Sequence, residues 1–161
     1  MASSYVEFDG EGFWAGDTSL EGWIGLMVRE IDRTPGKEPW LDALRADWHR
    51  LTMMGACGVL SANLDEHLDS PAKERVIVEL CHRLLNWLED HRSIKREDVA
   101  DVQTADDMGW NDSSHWISFG RAFMALVSHQ FHNPFPHGVK GDPQKFIWVA
   151  GFNDLSEIPK A

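Results

Sequence analysis

From Tyr5 to Trp14 the apolar residues alternate only weakly. Tyr5, Val6, Phe8, Phe13 and Trp14 are interrupted by Gly10 and Gly12, which predicts a short strand or extended arm. The pattern then lengthens to helical spacing. Leu20, Trp23, Ile24, Met27 and Ile31 predict a helix from about Leu20 to Asp32, opened by a Thr18–Glu21 capping box and ended by Thr34-Pro-Gly36. A second helix is expected from Pro39, with Leu41, Leu44, Trp48 and Leu51 on one face, until the breakers Gly55 and Gly58. Residues 55–70 read equally as loop or as a short helix around Leu60 to Leu68.

Ser70-Pro71 is a strong helix start, and it opens the clearest helix of the chain, to about His91. Its residues Val76, Ile77, Leu80, Cys81, Leu84, Trp87 and Leu88 fall within about 140° on a helical wheel, the stripe of a core-facing helix. Ser93 can cap a short helix over Ile94 to Gln103, followed by an acidic connection from Thr104 to Asp112. The last expected helix is capped by Ser113 or Ser114 and runs to about His132, where Asn133-Pro-Phe-Pro136 stops it. Trp116, Phe119, Phe123, Leu126, Val127 and Phe131 form one face; Ser118, Ala122, Ala125 and His129 form the other. Small residues on the back mark this helix as central, and they equally fit contact with a second copy in a homodimer. Phe146 to Phe152 is an aromatic and β-branched run of strand length. The expectation is a mainly α, single-domain bundle of four to five helices over residues 1–161. A small β element would pair the N-terminal segment (about 5–14) with the C-terminal strand (about 146–152).

Composition changes little in this picture. With 43% hydrophobic and 25% charged residues, the chain is that of an ordinary globular domain. Cys57 and Cys81 both sit among apolar neighbours, where a free thiol behaves as a small buried hydrophobe. Neither a signal peptide nor a run of about 18 apolar residues is visible, so the cytoplasm is the expected compartment.

Charge changes more. Residues 1–112 carry 23 Asp and Glu against 11 Lys and Arg, whereas residues 113–161 carry 3 against 4. The excess peaks in Glu97, Asp98, Asp101, Asp106, Asp107 and Asp112, a stretch without Lys or Arg. A net charge of −11 argues against nucleic acid and anionic membrane as ligands and favours a basic protein. Trp110, set among those acids, has the make-up of an interface hot spot, although it could also fold back as a lid on the core. The expected partner-binding residues are therefore Glu97, Asp98, Asp101, Asp106, Asp107, Trp110 and Asp112. In size, charge and helicity, though in no residue motif, this matches the immunity-type inhibitors that mask bacterial toxins.

Candidate chemistry is thin, and no motif names a reaction. Glu79-x-x-His82 and Asp112-x-x-His115 have the spacing by which helical bundles hold two metals. On the wheel, however, Glu79 and His82 point roughly 150° away from the apolar stripe, and Asp112 precedes its helix. The alternative to an interaction module is a zinc-binding protein or zinc enzyme, with His129 and His132 on one helix face and His137 folding back as third ligand. Otherwise no cofactor is expected, because phosphate loops and nucleophile elbows are absent.

Overall fold

The computed structural model describes residues 2–55, 57–104, 110 and 112–131. It is mainly helical with a small two-stranded antiparallel sheet.

The N-terminal segment folds on itself. Strands β1 (Ser3–Phe8) and β2 (Glu11–Gly16) pair in the register Ser3 with Gly16 through Phe8 with Glu11. The two residues between them, Asp9 (φ 51°) and Gly10 (φ 77°), both have positive φ, as a tight right-twisted hairpin turn requires, and Asp-Gly is a preferred pair for it. Among the described residues β1 pairs with β2; the strand expected at 146–152, and its pairing, lie outside the described residues. The inward face of the hairpin, Val6, Phe8, Phe13 and Ala15, is buried.

Helix α1 (Asp17–Asp32) is the centre of the molecule. Every residue from Ser19 to Ile31 is buried, and α1 packs on the hairpin and on helices α2 (Pro39–Leu51), α4 (Pro71–Asp90) and α5 (Ser113–Val127). The Thr18–Glu21 capping box does not form. Gly16 is the N-cap without a side-chain bond, and Glu21 is fully buried instead of reaching back. The first turn is held by Asp17, whose carboxylate accepts from Ser4 Oγ (2.6 Å) and from the Gly58 amide (2.5 Å).

Helices α2 and α4 stand as their patterns predict, with Ser70 Oγ accepting from the Lys73 amide at the start of α4. Between them, among the described residues, one short helix forms, α3 (Leu64–His67). The α4 stripe faces α1 and α5; Ile77, Leu80, Cys81, Leu84 and Leu88 are buried, while Val76 and Trp87 are partly so. Beyond α4 the expected helix over 94–103 shrinks to one 3-10 turn, Arg96–Val99. Two bonds hold this turn in place. The Asp98 carboxylate turns back to the Lys95 amide (2.9 Å), and the Asp98 carbonyl accepts from Arg29 Nη1 (3.3 Å).

Helix α5 is central as expected, and its small-residue back is buried as well. Gly22 and Gly120 permit the close approach of neighbouring helices: a Cβ on Gly120 would lie 2.3 Å from the Trp23 ring, and one on Gly22 would lie 2.4 Å from Trp116. Trp23 packs on Phe119 and Phe123, and Phe13 on Phe119 and Phe131, joining the hairpin to the same apolar core. The helix ends earlier than its pattern suggests. His129 takes a left-handed conformation (φ 57°), its amide bonds to the Leu126 carbonyl and that of Gln130 to Ala125, a Schellman arrangement that stops the helix before the prolines. Among the described residues no helix is long and apolar enough to cross a membrane.

Candidate interaction surface

The acidic segment is built onto α1 through two arginines. Arg29 is buried, with its side chain 2% exposed, and its guanidinium lies 4.2 Å from the centre of the Trp87 ring. Besides bonding Asp98, Arg29 Nη1 stands 3.9 Å from the Asp101 carboxylate and Nε stands 3.6 Å from Glu30. Arg33, on the next turn, donates to Asp101 at 2.9 Å. Burial lowers the Arg29 pKa, nearby Arg33 adds to the effect, and Glu30 and Asp101 oppose it. A small cavity of about 130 Å³ lies beside this cluster, lined in part by Gly25, Arg45, His49 and Gln103.

The seven expected partner-binding residues therefore divide. Glu97 projects into solvent, 77% exposed, with only Lys95 at 3.8 Å. Asp98 and Asp101 are engaged with α1 and Lys95, although the Asp101 side chain remains 52% exposed. Asp112 caps α5: its carboxylate accepts from the amide and the hydroxyl of Ser114, both at 2.9 Å, and these bonds hold it below the usual carboxylate range. The expected caps Ser113 and Ser114 instead occupy the first turn. Asp106 and Asp107 lie outside the described residues.

Trp110 is packed inward. It is 3% exposed, with its ring centre 4.6 Å from that of Trp116 above Gly22, so of its two expected placements the lid on the core describes the ring. Next along α5, His115 stands edge-on to Trp116, and burial pushes its pKa down to about 4. An open groove of about 540 Å³ runs beside the start of α5, where Arg121 is held by Glu89 at 3.1 Å.

The histidine cluster is not a shared helix face, since α5 ends at Val127. His129 lies 3.2 Å from Glu74 and 3.6 Å from Asp9, with its ring over Phe8; His132 and His137 fall outside the described residues. Among the described residues no group of three or more His, Cys, Asp or Glu is placed to hold a metal ion. Glu79 and His82 are exposed on α4, as the wheel predicts. Cys81 is buried near Met27 Sδ (3.9 Å), and burial pushes its thiol well above the ordinary value. Cys57, expected to be buried, is exposed on the loop after α2.

That loop is the surface that pattern reasoning passed over. Met53, Met54 and Val59 are 57%, 58% and 74% exposed, the large hydrophobics that the described fold leaves in solvent. Gly55 and Gly58 flank Cys57 there. No family model, curated protein or solved structure matches the chain.

Proposed function

We propose that this protein is an acidic interaction module that binds and masks a basic protein partner. The observation that carries the proposal is the excess of carboxylates on the outside of the fold. Glu11, Glu66, Glu79 and Asp90 are exposed without a Lys or Arg ion-pair partner among the described residues, and Glu97 has only a distant one. A net charge of −11 on one small domain produces a field that speeds encounter with cations and repels anionic ligands. Asp98, Asp101 and Asp112 help to shape the surface; Glu97, Asp106 and Asp107 are the members of the acidic segment assigned to direct contact. Masking a basic toxin, as immunity-type inhibitors do, is the form of this activity that size and charge favour.

The test is capture from the native host on immobilised protein at low salt. Retained proteins should be basic and should elute on addition of salt. The triple variant Glu97→Lys, Asp106→Lys, Asp107→Lys, which spares the structural carboxylates, should retain markedly less. Retention of acidic proteins, or retention indifferent to salt and to the triple variant, would remove the proposal.

A further inference from the structure

The loop after α2 is anchored at both described ends while apolar side chains stay exposed. At its start the Thr52 amide and hydroxyl bond to the Trp48 and His49 carbonyls (3.1 and 2.8 Å), and the Met53 and Met54 amides bond to Arg50 and Leu51 (both 3.1 Å). At its far side the Gly58 amide donates to the buried Asp17 carboxylate and the Leu60 amide to Ser4 Oγ (2.8 Å), while Trp48 Nε1 donates to the Ala62 carbonyl (2.8 Å). A buried carboxylate and a buried hydroxyl thus hold Gly58 and Leu60, while Met53, Met54 and Val59 remain in solvent. Gly55 and Gly58 supply positive φ (72° and 76°) on either side of Cys57. Three exposed apolar side chains on a loop anchored at its described ends have the make-up of an interface anchor. Methionines adapt to irregular partners.

Charge narrows what docks there. From Leu51 to Ala72 the sequence has no Lys or Arg, Arg50 just before it is paired with Asp47, and exposed Asp65 and Glu66 follow in α3. An anionic membrane would be repelled by a chain of net charge −11. We infer that Met53, Met54 and Val59 are the apolar anchor for the basic partner, and that they receive a segment whose own apolar side chains are framed by Lys or Arg. This assignment rests on the proposed function, and it adds a site separate in sequence from the 97–112 segment.

Two synthetic peptides of about 18 residues test it: one amphipathic, of Lys and Leu, and one of Lys and Ser with equal charge. At low salt both should bind the full chain, the Lys/Leu peptide about tenfold more tightly, and only that peptide should slow peroxide oxidation of Met53 and Met54. The variants Val59→Ser and Met53→Ser should abolish the tenfold preference and leave Lys/Ser binding unchanged. Equal affinities, a preference that survives both variants, or unaltered methionine oxidation would overturn the inference and leave the charge reading standing. Binding of neither peptide would remove the charge reading itself. A dimer of the free protein that Met53→Asp converts to monomer would give the loop to a second copy and also overturn it.

Discussion

The Trp110 ring stacks beside Trp116 and is 3% exposed, so the free energy of burying it contributes to the fold. Trp110→Ala should therefore lower stability in urea by about 3–5 kcal/mol, and Trp110→Phe by clearly less. Gly120 has a similar role seen from the opposite side: with Trp23 2.3 Å from where its Cβ would be, Gly120→Ala should cost about 1–3 kcal/mol by overpacking. His115 links the same region to pH. The folded imidazole takes up a proton only near pH 4, whereas an unfolded one does so near 6.5, so the unfolded chain binds more protons between those values. Stability should fall by on the order of 2 kcal/mol as pH drops from about 6.5 to about 4, then level off from this source. In urea titrations across that range, His115→Gln should flatten the slope. An unchanged slope would mean that the histidine is not the group responsible.

At the level of elements, legibility followed the strength of local signals. Pro39, Ser70 and Pro71 act within one helical turn, and α2 and α4 begin where these residues stand. Ser70→Ala should accordingly cost about 1 kcal/mol, measured by denaturant unfolding. Signals overridden by distant partners were not legible. Thr18 and Glu21 have capping-box spacing, but Asp17 is held by Ser4 and Gly58 from other parts of the chain. The helix expected from Ile94 forms only one turn, and its Asp98 carbonyl is bonded by Arg29, nearly seventy residues earlier. Asp112 was visible as an acid but not as a cap. Asp112→Ala should lower the unfolding midpoint, and Asp112→Asn, which keeps an oxygen for the Ser114 amide, should largely restore it. The hairpin turn, Asp9-Gly10, was present in the sequence as a preferred pair and was read only as an interruption of a strand.

At the scale of the molecule, part of the acidic excess among the described residues is taken up inside the fold. Part of the 97–112 segment fastens the chain to α1 and starts α5, while Glu97 and the outer carboxylates of α3 and α4 remain free to act at a distance. The exposed methionine loop was illegible because nothing in its pattern distinguishes an outward apolar run from an inward one; only the bonds to Asp17 and Ser4 settle its direction. If charge brings the partner in and apolar contact retains it, the two contributions separate kinetically. The most direct measurement is the association rate with the captured partner as a function of ionic strength. The rate should fall more than about tenfold between roughly 0.02 and 0.3 M salt, with the dissociation rate nearly constant. An association rate that stays flat over that range would contradict the acidic-module account.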